Sequence, residues 1–128
     1  MGRVDDTLRA LNDEAWRQHH RDPMQLLPLG ERLVAEASRA GDEAAVAWGW
    51  LHQAWGLRFR SRADDAAAAL AQAEALFTRR AHADGLAACR DLQAMLLGLA
   101  RRWDEALALL AQNDVRPGGP RAARERFN

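Results

Sequence analysis

The 128-residue chain contains no lysine, no tyrosine and no isoleucine, so all 18 of its basic side chains are arginine. Eighteen acidic residues balance them, and zero formal net charge removes the broad positive field on which non-specific nucleic-acid binding relies. No nucleic-acid partner is expected. A lone cysteine, Cys89, cannot close an internal disulfide, and the N-terminus lacks the apolar stretch of a secretory signal; the cytoplasm is the expected compartment. Long apolar runs are missing too. Residues 94–100, AMLLGLA, are stopped by Arg101 and Arg102, far short of the roughly 18 residues that cross a bilayer. No contact with a membrane is expected. The β-branched residues reduce to Val4, Thr7, Val34, Val46, Thr78 and Val115, too few to build a sheet.

What is present favours helix. Alanine, leucine, arginine, glutamate and glutamine sit at the favourable end of helix propensity and dominate here, so an all-α fold is expected. A chain of this length buries roughly two thirds of its unfolded surface without metal or disulfide, and it reads as a single domain over residues 1–128.

The apolar period places the helices. Leu8, Leu11, Ala15 and His19 share one stripe with Trp16 beside it, which predicts a first helix over about Val4 to His20. Asp22-Pro23 then supplies a cap and a tolerated first-turn proline for a second helix ending near Arg39, with Pro28 expected to bend it. Ala40-Gly41-Asp42 is a stop and a new cap. A third helix is predicted over Glu43 to Arg60, with Ala47, Leu51, Ala54 and Leu57 on its buried stripe. A fourth runs from Asp64 or Asp65 to near Ala81. After a linker over His82 to Gly85 come a fifth, Leu86 to Ala100, and a sixth, Trp103 to Gln112. Residues 113–120, with Pro117-Gly118-Gly119-Pro120, read as a linker before a last helix over Arg121 to Asn128. That helix has only Phe127 to bury, so the chain is expected to be the N-terminal part of a longer protein.

Self-comparison lays RADDAAAAL, residues 62–70, over RWDEALALL, residues 102–110, and puts Leu26, Ala66 and Ala106 in register at an offset of about forty residues. Such an offset predicts about three antiparallel helix hairpins stacked as an open solenoid, each leaving an apolar face for its neighbour, plus a C-terminal helix.

The small-x3-large-x2-small spacing of Ala66, Leu70 and Ala73, and Trp103-Asp104-Glu105-Ala106 followed by Leu110, resemble tetratricopeptide (TPR) repeats. Three features depart from that pattern. The period is longer than the usual 34 residues or so, Gln53-Ala54 and Gln93-Ala94 stand where a Leu-Gly pair is expected, and Asn113 replaces a small residue. The order of a Trp-bearing first helix, an Asp-Pro helix start, Ala-Gly-Asp and an alanine-rich repeat is similar to the N-terminal helical regions that precede GGDEF diguanylate cyclase domains in proteobacteria. The Gly-Gly-(Asp/Glu)-Glu-Phe signature is itself missing from the chain.

The resemblance implies a non-catalytic interaction or sensory module, with a right-handed stack and a groove lined by the first helix of each pair. It carries over to Trp48, Leu51, His52, Trp55, Arg58 and Phe59 on the third helix, and to Ala88, Asp91, Met95, Gly98 and Leu99 on the fifth. Aromatic and arginine anchors suit an extended peptide, a protein partner or a small ligand, and no cofactor is expected. The competing reading is that the tryptophans are packing. Leu107, Leu110 and Phe127 have no repeat to cover them, which makes a homodimer through the solenoid end an expectation as well.

A second class rests on Leu51-His52-Gln53-Ala54-Trp55-Gly56, which supplies the histidine and glycine of a histidine phosphotransfer motif, His-x-x-Lys-Gly, with Trp55 in place of the lysine. Other chemistry finds less support. His19 and His20 are adjacent and face different sides of a helix, unlike the i, i+4 pair of a zinc site. Cys89 reads as a small buried residue, and Gly118-Gly119 lies between prolines and makes no phosphate loop. No nucleophile, base and oxyanion site can be assembled, so no enzyme activity is expected.

Overall fold

The computed structural model describes residues 2–114, and among them every regular element is helical. The helices are α1 (Gly2–Gln18), α2 (Leu26–Ala40), α3 (Glu43–Phe59), α4 (Ala63–Arg79), α5 (Ala83–Leu99) and α6 (Trp103–Asp114), with a 3₁₀ turn over Pro23–Gln25 ahead of α2. The expected last helix, Phe127 and most of the expected linker lie outside the described residues, while Asn113, assigned to that linker, belongs to α6.

The turns explain the spacing. Residues 41, 61, 81 and 101, twenty apart, all have left-handed backbone, with φ of 72°, 60°, 51° and 63°. At each, two hydrogen bonds close the preceding helix: the N–H of residues 42, 62, 82 and 102 reaches back to the carbonyls of Ala37, Leu57, Phe77 and Leu97 at 3.0, 2.9, 2.9 and 2.8 Å, and that of residues 41, 61, 81 and 101 to those of Ser38, Arg58, Thr78 and Gly98. The same four residues then open the next helix, their carbonyls accepting from Val46, Ala66, Leu86 and Ala106. This is the six-to-one closure of a Schellman cap with its final residue reused as an N-cap. Asp42 completes it with a side-chain bond from the Ala45 N–H at 3.0 Å. At the third of these turns His82 does the same through Nδ1, which accepts from the Gly85 N–H at 2.9 Å. The linker expected over His82 to Gly85 is therefore a cap and a first helical turn.

Pro28 falls at the third position of α2, where the N–H it lacks would have no intrahelical acceptor; the irregularity of this segment is instead the 3₁₀ turn capped by Asp22 on Met24 N–H at 3.2 Å.

Each helix packs on the next, and α3 also touches α1 and α5. The most extensive contact is α2 on α3, and three glycines account for it. A Cβ on Gly56 would lie 2.7 Å from the Leu27 backbone nitrogen, one on Gly49 2.9 Å from that of Val34, and one on Gly30 2.7 Å from the Gly49 carbonyl oxygen. Backbone meets backbone there, so no side chain larger than hydrogen fits. The stripe expected on α3 is the core: Ala47, Leu51, Ala54 and Leu57 are buried with Ala66, Leu70, Ala73 and Phe77 of α4 and Ala88, Cys89 and Leu92 of α5. A smaller cluster joins Leu8 and Leu11 of α1 to Leu33 and Ala37 of α2. Removing these side chains from water is the main stabilising term, about 1.5–3 kcal/mol for each large one. At the other end Leu99, Trp103 and Leu107 are more than half exposed.

Candidate functional site

Residues grouped by sequence as one groove take several different places. Leu51, His52 and Ala88 are buried in the core and line no surface. Trp48 is half-buried as the hub of a ring cluster, 5.9 Å from Trp16, 4.9 Å from Phe77 and 5.8 Å from His82 between ring centres. Its indole also borders an open cleft of about 380 Å³ between α1 and the start of α3, with Asp5, Leu8, Arg9, Asn12, Asp42, Ala44 and Ala45. Asp91 accepts from the Asn113 amide at 3.0 Å, which ties it to α6. The same amide donates to the Ala87 carbonyl, and Arg90 donates to the Asn113 oxygen at 3.3 Å. The large asparagine that departs from the TPR pattern is thus the polar lock between α5 and α6.

What remains together is Trp55, Arg58, Phe59 and Met95. The indole of Trp55 and the ring of Phe59 are tilted at 6.2 Å, and the Arg58 guanidinium carbon sits 5.1 Å over Phe59. Arg58 Nη2 reaches Met95 Sδ on α5 at 3.7 Å, a soft and weak acceptor. Its Nε is buried and makes no hydrogen bond, the one such side-chain atom among the described residues. A buried donor without an acceptor costs about 1–3 kcal/mol. Gly98 lies under the Trp103 ring, and Leu99 is exposed.

A second constellation surrounds His52. Its Nε2 lies 2.7 Å from Asn12 Oδ1 and its Nδ1 3.2 Å from His19 Nε2. Because the amide oxygen only accepts, the His52 proton is on Nε2, which leaves Nδ1 to accept from His19 Nε2–H. Trp16 stacks on His19 at 4.8 Å and meets His52 edge-on at 4.8 Å, and Trp55 stands edge-on to His19 at 5.7 Å. Complete burial, and then the nearby charge of His19, hold His52 well below the usual imidazole range, so the ring is neutral. With both nitrogens engaged and no exposed surface, His52 presents no ring nitrogen from which to attack a phosphoryl group in this arrangement.

Asn12, Trp16 and His19 were not singled out as site residues by the sequence. The signal was present in the stripe that put His19 beside Trp16 on the first helix predicted over about Val4 to His20, but a stripe names no partner on another helix. Cys89 is not a nucleophile: burial, then Glu74, push its thiol up to about 12. Among the described residues no three His, Cys, Asp or Glu side chains gather to hold a metal, and no helix is long and apolar enough to cross a membrane. A scan against family models, a search of curated proteins and a search of solved structures each return no match to this chain.

Proposed function

We propose that the chain is a non-catalytic, TPR-like interaction module in which successive helices stack as an open solenoid, and that an extended peptide of a partner protein lies in the groove where α3 faces α5. Arg58 carries this reading. It is the one side chain on that face with a buried N–H left without an acceptor, it bridges two helices through a thioether, and aromatic rings flank it. A peptide carbonyl would meet the half-buried Arg58 guanidinium, and Trp55 and Phe59 would flank the peptide's apolar side chains. The twenty-residue recurrence of the turns and the contact of α3 with both α1 and α5 support the stacked arrangement.

The resemblance noted in the sequence extends the proposal: the module serves as the regulatory input of a cytoplasmic GGDEF signalling protein. Reading the source gene past the codon for Asn128 tests that part, since an open frame entering a cyclase domain supports it and a stop codon makes the protein a stand-alone adaptor. The groove is tested by Trp55→Ala and Arg58→Ala with helicity followed by circular dichroism. Loss of partner binding with helicity intact supports the groove, and unchanged binding overturns it. Self-association through Leu99, Trp103 and Leu107 is part of the same proposal, and sedimentation of Leu107→Gln against the parent chain checks it.

A further inference from the structure

The cleft between α1 and the start of α3 is lined by two carboxylates, one guanidinium, one amide and one indole, those of Asp5, Asp42, Arg9, Asn12 and Trp48. It lies about two turns along α3 from the Arg58 groove and shares none of that groove's residues. Its volume of about 380 Å³ falls within the roughly 300–1,000 Å³ of small-molecule sites. We propose that this cleft binds a free basic α-amino acid of the lysine or arginine class, with the ligand carboxylate on Arg9 and its two cationic groups on Asp5 and Asp42.

The walls of the cleft are held in place from outside it. Trp48 is fixed by its edge-on contacts with Trp16, Phe77 and His82. Asn12 Oδ1 accepts from Nε2–H of the fully buried His52 at 2.7 Å, which leaves the amide NH2 for the cleft. Asp42 accepts from the Ala45 N–H through one carboxylate oxygen and keeps the other. Asp5 and Arg9 are one turn apart on α1, a spacing that permits an ion pair, yet neither pairs with any described residue. A ligand thus meets groups that are already oriented or unclaimed.

Charge chooses among small ligands. The lining carries two negative charges and one positive, and Glu43, next to Asp42, is already paired with Arg79 and Arg80 at 2.6 and 3.9 Å. Lysine or arginine carries the mirror set, two positive charges and one negative, so every charge finds its opposite. A neutral amino acid leaves a carboxylate unmatched, and a diamine leaves Arg9 unmatched. The indole of Trp48 attracts a cation over its face, and Trp48 and Leu8 suit the aliphatic stem of a basic side chain. Because Asp5 and Arg9 are exposed and the cleft is open, these pairs are screened, and a Kd of about 1 mM that weakens with salt is expected.

Amide chemical shifts of the whole chain, followed by NMR at pH 7 and low salt during titration with L-lysine, L-arginine, L-leucine or cadaverine, test the site. Saturable shifts are expected around Asp5 to Asn12 and Asp42 to Trp48 with lysine and arginine, and about fivefold weaker binding with leucine and cadaverine. Arg9→Gln, at an exposed position, is expected to bring lysine down to the level of cadaverine without weakening cadaverine itself. Asp42→Asn keeps a good cap at the start of α3 and is expected to weaken lysine and cadaverine alike by about fivefold. Four outcomes overturn the proposal: no saturable shift with lysine or arginine, shifts centred on Trp55 and Arg58 instead, leucine or cadaverine binding as tightly as lysine, or lysine binding unchanged in both variants.

Discussion

The two ends of the molecule are built on opposite principles. Around α1 to α3, indoles, imidazoles and glycines interlock so closely that backbone touches backbone and a histidine is fully buried with both nitrogens bonded. Around α5 and α6, Leu99, Trp103 and Leu107 lie open to solvent, and the polar contact between those helices runs through one asparagine. One end is specified by fit and polar pairing. The other leaves large apolar side chains exposed.

The sharpest way to break the contrast is to cut the same residue type at each end. Leu51→Ala, in the fully buried stripe of α3, is expected to cost about 2–5 kcal/mol, and Leu107→Ala, 65% exposed on α6, less than about 0.5 kcal/mol; urea melts followed by circular dichroism compare them. Equal losses would mean that the face of α6 is covered in solution. A methyl on Gly56 collides with the Leu27 backbone, so Gly56→Ala is expected to lose about 1–3 kcal/mol by the same assay. Gly98→Ala meets the Trp103 ring at 3.0 Å, an exposed side chain free to move, and the gain in helix propensity leaves it within about 1 kcal/mol of neutral.

Acid sharpens the comparison next. The folded-state pKa of His52 is depressed, so its contribution is fully present above the unfolded value of about 6.5 and is lost as pH falls toward the folded one. Stability measured by urea melts is expected to drop by up to about 1.4 kcal/mol per pH unit in that window, and His52→Gln to remove this slope. The turns give an effect of either sign. Ala81→Gly, at φ 51°, relieves a side chain from left-handed backbone and is expected to raise stability by about 1 kcal/mol, while Gly41→Ala, at φ 72° with open space around it, loses about as much. Thermal melts of the pair check both signs.

Much of this architecture was legible because it follows from local chemistry. Ala47, Leu51, Ala54 and Leu57 fall at helical spacing and are buried, and Asp42 behind Gly41 announces its turn. The other left-handed positions were hidden, since Ser61, Ala81 and Arg101 carry no signal for positive φ, and the twenty-residue recurrence could not be read from residue types. His82 is a poor cap by preference, so the start of α5 was placed three residues late. The candidate groove was legible in part. Trp55, Arg58, Phe59 and Met95 come together, but which face of α3 meets α1 is set by the glycine contacts to α2, and that choice buries Leu51 and His52.

The turns also govern how such a chain can change in length. Because residues 42, 62, 82 and 102 each close one helix and open the next, there is no slack residue to absorb an insertion between them. One residue added inside a helix turns everything beyond it by about 100° and carries its apolar stripe off the core. One added at a turn forfeits either the closure or the cap. A whole helix with its turn can be gained or lost with both kept, and only an even number of them returns the chain to its original direction. Inheritance acting on this protein is therefore expected to proceed by duplication and deletion of complete units, while point substitutions redraw the surfaces between them.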